Sequence, residues 1–206
     1  MSVFVVKNNF VDHFIGRARN QQNGSTLLRE NLKKITWALA FEAHKEFVFK
    51  NKEIQTPISS CNIKELSGKV VVVPILRSGL VMSDALQFFF ENCSVVHLGI
   101  YRDENLRAIK YYEKFPENLD NSKLILCDPL IATGSTILKS LDILSKYNFK
   151  EIIIMGIIFS QQAIDLITGK YPEINIYAAA IDPQINSHGY IVPGLGDAGN
   201  RLFNTD

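Results

Sequence analysis

Residues 69–76, "KVVVVPIL", constrain this chain more than any other stretch. Four consecutive valines leave no polar face, so a strand built from them must be covered on both sides. β-branched side chains also favour an extended backbone over a helix in so short a run. The pattern recurs in "SVVHLGIY" (94–101), "SKLILCD" (122–128), "KEIIIMGIIF" (150–159) and "INIYAAAI" (174–181). Amphipathic runs separate them: "GLVMSDALQFFFEN" (79–92), "STILKSLDILSKY" (135–147) and "QQAIDLITGKY" (161–171). Strands that alternate with helices predict an α/β fold with a mainly parallel central sheet of about five strands, flanked by helices.

The remaining segments are read more coarsely. Residues 25–49 read as one long helix, with Leu28, Leu32, Ile35 and Leu39 at helical spacing behind the start signal "NGST". The capping box is absent, because Arg29 lies three residues after Thr26. "TPISSCNI" reads as a connection. One domain over residues 1–206 is expected, with an N-terminal helical arm at 1–60, an α/β core at 61–181 and a C-terminal segment at 182–206. That last segment is rich in glycine and proline and shows no obvious helix. Residues 102–118 are polar and aromatic and break the alternation, as a lid or binding loop does.

Bulk properties exclude several classes. With 47% apolar and 21% charged residues the chain has the composition of a soluble globular protein. A net charge of +1 gives no broad electrostatic case for nucleic acid or an anionic membrane. No apolar run reaches the ~18–20 residues of a membrane helix, and the start shows no signal peptide. Cys61, Cys93 and Cys127 have no metal-like spacing, and an odd number suits a reducing, cytoplasmic compartment. His13, His44, His97 and His188 form no H-x-x-x-H pair, so no protein-held metal site is expected.

The chemistry sits at strand ends, where open α/β sheets bind ligands. In "LILCDPLIATGST" (124–136) a buried strand ends at Asp128 and passes into Ala132, Thr133, Gly134, Ser135 and Thr136 before a helix. Small residues at a helix N-terminus expose backbone N–H groups and make an anion site. No Walker lysine is present. An acid beside a phosphate nest suits a sugar phosphate, with the carboxylate on ribose hydroxyls; a plain strand-to-helix turn with a buried cap accounts for the same residues. "PILRSGL" (74–80) repeats the arrangement with Arg77, and Arg102 ends the next strand. Two anion sites, added cations and a ribose acid describe 5-phosphoribosyl-1-pyrophosphate better than a nucleoside triphosphate.

The chain resembles the uracil phosphoribosyltransferases, of the type I phosphoribosyltransferase fold, nearly end to end. "LLRENLKKITWALAFEA", "ILRSGL", "YRDE" with "YYEKFP", "DPLIATGST" and "GYIVPGLGDAGNRLF" occur in family order, and the last belongs to the uracil branch. The resemblance implies transfer of phosphoribose from 5-phosphoribosyl-1-pyrophosphate to uracil, giving UMP and pyrophosphate, with Mg2+ carried mostly by substrate and water. It implies that Arg77 and Arg102 contact the pyrophosphate. Asp128, Pro129, Leu130, Ile131, Ala132, Thr133, Gly134, Ser135 and Thr136 hold the ribose and 5-phosphate. Ile191, Gly196, Asp197 and Ala198 surround uracil as a C-terminal hood, with Asp197 also facing the donor. Asp128, Arg102 and Asp197 are the catalytic candidates. It further implies a homodimer or higher homo-oligomer and raises GTP as an effector. Phe88–Phe90 suit an interface or a core equally.

Four positions depart from the family pattern. Ser78 stands for alanine, Ser135 for a second glycine, Leu130–Ile131 for Met-Leu, and Asn200 for an acid. Ser135 matters most, because a glycine conformation is a natural requirement of such a loop. Uracil offers acceptor, donor, acceptor along one edge, which a glycine-rich loop answers with backbone groups. Cytosine inverts two of the three, a mismatch worth discrimination on the order of 10⁴. The rival readings are a phosphoribosyltransferase for another base, an RNA-binding regulator on the same fold, and a binding module without catalysis.

Overall fold

The computed structural model describes residues 2–103, 107–116, 119 and 121–205, the side chain of Arg102 excepted. In chain order it forms β1 (Val3–Val5), α1 (Asn9–Arg19), α2 (Ser25–Glu42), a 3-10 turn (Ala43–Glu46), and β2 (Val48–Gln55) and β3 (Ser60–Ser67). The core follows with β4 (Val70–Leu76), α3 (Leu80–Phe89), β5 (Ser94–Val95), β6 (Leu98–Arg102), β7 (Ala108–Glu113) and β8 (Lys123–Ile131). Then come α4 (Ser135–Leu144), β9 (Glu151–Ser160), α5 (Gln161–Lys170), β10 (Asn175–Asp182), β11 (Gln184–Ile185), β12 (Ile191–Val192) and α6 (Ala198–Phe203).

The valine strand β4 lies inside an eight-stranded sheet ordered β1-β10-β9-β8-β4-β6-β7, with β5 paired to β4. All pairings are parallel except β6 with β7. Val70 and Val72 face one layer, with α1, α2, α3 and α6; Val71 and Val73 face the other, with α4 and α5. Both faces are therefore apolar, and burying each large aliphatic side chain contributes about 1.5–3 kcal/mol. From β4 the chain turns one way through α3 to β6, then returns to β8 and proceeds the other way. Because α3 and α4 lie on opposite layers, β4 and β8 diverge at their carboxyl ends and open the crevice where such sheets bind ligands.

The sheet is wider than five strands. β1 was invisible as a strand because it has only three residues, and it is held by pairing to β10. The expected helix over 25–49 stops at Glu42, and β2 begins at Val48. The region expected as a helical arm thus contains a strand of the central sheet and half of a hairpin. The β2–β3 hairpin is a separate two-stranded sheet, and "TPISSCNI" is its turn and the start of its second strand. The C-terminal segment contains the short helix α6, capped by Asp197, whose Oδ1 accepts from Asn200 N–H at 2.8 Å. Within 102–118, β7 pairs antiparallel to β6, and residues 104–106, 117 and 118 lie outside the described ones. Phe88–Phe90 divide: Phe88 is 79% exposed and Phe90 3%.

Candidate active site

Strand β8 carries Asp128 to the crevice, with the carboxylate 9% exposed at the residue level. The same low-polarity surroundings, and then the neighbouring Asp128, push the Cys127 thiol well above its ordinary range. Cys127 is thus a neutral packing residue and no nucleophile. Across the crevice β4 ends at Leu76 and leads into a turn with Arg77 and Ser78. The Ser78 hydroxyl donates to Asp128 Oδ1 at 2.8 Å. Gly79 follows because nothing larger fits: a Cβ there would lie 2.6 Å from Ile75 N and 2.7 Å from Cys127 O. The Leu76–Arg77 peptide is cis.

The loop after β8 turns at Gly134, whose φ of 77° is the left-handed conformation that favours glycine. Ser135 needs no such conformation. It is the first residue of α4, its N–H donates to Thr133 Oγ1 at 3.3 Å, and the two hydroxyls meet at 2.8 Å. The buried Ser160 fixes the loop from below, donating to Ala132 C=O while its oxygen accepts from Ala163 N–H at 2.9 Å. Ser135 N–H is taken by Thr133 and Leu138 N–H by Gly134 C=O, which leaves the N–H groups of Thr136 and Ile137 as the donors of the first turn that lack helical acceptors, the kind of group an anion site uses.

The C-terminal segment forms the opposite wall. Asp182 accepts two hydrogen bonds from the Arg19 guanidinium at 2.7 Å and one from Gly194 N–H at 2.9 Å, and Arg19 also donates to Gly194 C=O. Arg201 donates to Leu195 C=O, Ala18 C=O and Asn20 C=O. Partial burial lowers the Arg201 pKa from its ordinary value. These two arginines tie residues 194–195 to the end of α1 and leave Gly196, at φ 78°, on the rim. Arg77 reaches the same wall. It donates to Asn200 Oδ1 at 3.2 Å and lies over the Phe203 ring.

Together these elements enclose a cavity of about 640 Å³. Arg77, Asp128, Leu130, Ala132, Thr136, Ile191, Gly196, Asp197 and Ala198 line it, from three stretches distant in sequence. Ile131 and Gly134 line an adjoining recess with Asp128 and Thr136. Pro129, Thr133 and Ser135 line neither: Pro129 is buried within β8, and the two hydroxyls bond each other. Arg102 ends β6, but its side chain lies outside what is described. Tyr101, Asp103, Tyr111 and Tyr190 also line the cavity, and nothing in the sequence singled them out individually as site residues. His188 is exposed and also lines the cavity. The signal for Tyr111 was the aromatic stretch after the second strand, and Tyr101, which closes that strand, has its ring 6.2 Å from that of Tyr111.

Hard oxygen donors suit magnesium, and Asp103, Asp128 and Asp197 all line this cavity. Among the described residues no three metal-ligating side chains form a cluster. These three carboxylates are the oxygen donors that a magnesium ion entering the cavity would meet.

A family model described as uracil phosphoribosyltransferase matches residues 5–205. Among curated relatives, the uracil phosphoribosyltransferase of Thermosipho melanesiensis is 41% identical and is covered over 100% of both chains. That of Malacoplasma penetrans is 41% identical over 98% of each. A solved protein from Aquifex aeolicus superposes with a TM-score of 0.93 at 31% identity, covering 100% of this chain and 99% of its own. The adenine phosphoribosyltransferase of Trypanosoma brucei, at 14% identity and a TM-score of 0.58 over 95% of this chain and 87% of its own, shares the fold.

Proposed function

The chain belongs to the uracil phosphoribosyltransferase family, and from that premise we propose how its residues divide the work of the reaction. The enzyme transfers the phosphoribosyl group of 5-phosphoribosyl-1-pyrophosphate to uracil, forming UMP and pyrophosphate. One observation carries the division of labour: Arg77, Asp128 and the residues Ile191, Gly196, Asp197 and Ala198 line a single cavity at the crevice of the sheet.

The 5-phosphate sits on the amides at the start of α4. Asp128 accepts from ribose hydroxyls, which a carboxylate beside a phosphate nest does without facing the phosphate itself. Arg77, with Arg102 by family likeness, stabilises the departing pyrophosphate. Such help accelerates the reaction only if it grows as the C1–oxygen bond breaks and charge develops. Asp128, Asp197 and Asp103 are the carboxylates that would meet Mg2+ arriving with the donor, and the ion would supply charge neutralisation at the pyrophosphate. Uracil lies against the backbone of residues 191–198, with Asp197 between base and donor. The β6–β7 hairpin, with Tyr101 and Tyr111 on the cavity, covers the donor and excludes water, which otherwise wastes it by hydrolysis.

Three free cysteines among the described residues favour a reducing compartment, the cytoplasm. The family likeness also leads us to propose a homo-oligomer and GTP as an effector. A single assay addresses the chemistry: UMP formation from uracil, cytosine and hypoxanthine, with and without magnesium and GTP. Uracil should exceed cytosine by about 10⁴ in kcat/KM, chelation should abolish turnover, and GTP should raise the rate. Comparable rates on uracil and cytosine would remove the backbone-readout model. Turnover in chelator or indifference to GTP would remove the metal or the effector.

A further inference from the structure

The loops at the ends of β4 and β8 come from opposite directions of the winding, and the donor must span both. A direct side-chain bond joins them, from the Ser78 hydroxyl to Asp128 Oδ1 at 2.8 Å. We propose that Ser78 is a positioning residue for donor binding. It fixes the plane of the Asp128 carboxylate and locks the ribose side of the site to the pyrophosphate side. This rests on the reading of Asp128 as the ribose acceptor.

The argument is geometric. The Asp128 side chain turns about two bonds, Cα–Cβ and Cβ–Cγ, and a hydrogen bond from a fixed donor to one of its oxygens restrains both rotations. Ser78 is such a donor, because its position is over-determined by the backbone. Gly79 N–H donates to Ile75 C=O at 2.9 Å. The Gly79 backbone also packs so closely on Ile75 and Cys127 that no Cβ fits. The Ser78 backbone thus cannot withdraw from Asp128 without opening the contact between the ends of β4 and β8, and its hydroxyl reaches Asp128 in the rotamer it adopts. Its neighbour Arg77 lines the same cavity. The hydroxyl therefore sets the distance between the cation assigned to the leaving group and the acid assigned to the ribose. The bond to be broken lies between those two groups. Misplacement of reacting partners by as little as ~1 Å is costly.

A hydrogen bond to a charged group contributes more than one between neutral groups. Ser78→Ala should lower kcat/KM for 5-phosphoribosyl-1-pyrophosphate about tenfold, at the low end of what such bonds are worth. Melting temperature and KM for uracil should stay unchanged. Ser78→Thr, which keeps the hydroxyl, should restore most of the loss. In an Asp128→Ala background Ser78→Ala should add nothing, because the acceptor is gone. A silent Ser78→Ala, or one whose loss persists in full without Asp128, overturns the positioning role. A loss that falls equally on uracil and stability also overturns it. If Asp128→Ala alone leaves donor kinetics unchanged, the assignment of Asp128 to the ribose fails instead, whatever Ser78 does.

Discussion

Gly196 illustrates how a single residue's backbone decides what the site can hold. Its φ of 78° lies in the left-handed region, where a side chain costs about 1–2 kcal/mol. Among the described residues the space around it is open: an added Cβ would touch Arg201 Cδ at 3.7 Å. The cost of substitution is thus conformational. Gly196→Val should lower kcat/KM for uracil at least tenfold, with donor binding and melting temperature nearly kept. Ile191→Val should stay near the parent, because it keeps the main-chain groups and removes one methylene. Steady-state kinetics with each substrate varied in turn check this, and a Gly196→Val enzyme of parental uracil kinetics would show that the loop needs no left-handed residue. Asp197 shows a residue with two tasks. The carboxylate expected at the donor also caps α6.

Among elements, the C-terminal wall depends on a clamp that no local pattern announces. Arg19 ends α1, 163 residues before Asp182, and the pair is largely buried, with side chains 23% and 7% exposed. Asp182 in turn holds Gly194 N–H, so the ion pair fixes the turn that leads to the base-binding residues. Removing one partner leaves a buried charge unpaired. Arg19→Ala should therefore destabilise the fold by about 3 kcal/mol, the low end for such a break because Arg19 keeps some exposure. It should also raise KM for uracil more than KM for the donor. Denaturant unfolding and initial rates check both, and an equal effect on the two substrates would detach the clamp from the base wall.

At the scale of the molecule, the apolar surface left uncovered is extensive. The β2–β3 hairpin carries Val48, Phe49, Ile58 and Ile63 in exposed positions, with Ile58 93% exposed at its turn. Phe10, Phe41 and Phe88 are also exposed. Exposed apolar groups on this scale mark surfaces that associate. A second copy laid over them gives the homo-oligomer proposed above. Light scattering should give a particle of at least twice the 23.2 kDa chain. Ile58→Lys at the hairpin turn should shift it toward the monomer. A parent protein of 23.2 kDa in solution would end that proposal.

The runs of β-branched residues and the helices between them were enough to determine the α/β class, because burial on both faces leaves its mark in every residue of a strand. β4, β8, β9 and β10 could be read for that reason. Asp128 with its small-residue loop and Arg77 could be singled out at strand ends, where a plain turn fits the same residues, and the string from Ile191 to Ala198 through its family resemblance; that they line one cavity was decided by the tertiary structure. Three kinds of feature were decided only by tertiary structure. β1 and the β2–β3 hairpin are held by pairing with distant or exposed partners, so periodicity carries no trace of them. α6 starts at a capping aspartate inside a glycine-rich stretch, and its six residues are too few to show a period. The contacts of Ser78 with Asp128 and of Arg19 with Asp182 join residues 50 and 163 apart. A hydrogen bond depends on distances in space, and the winding order of the sheet, which sets those distances, is a property of the whole chain.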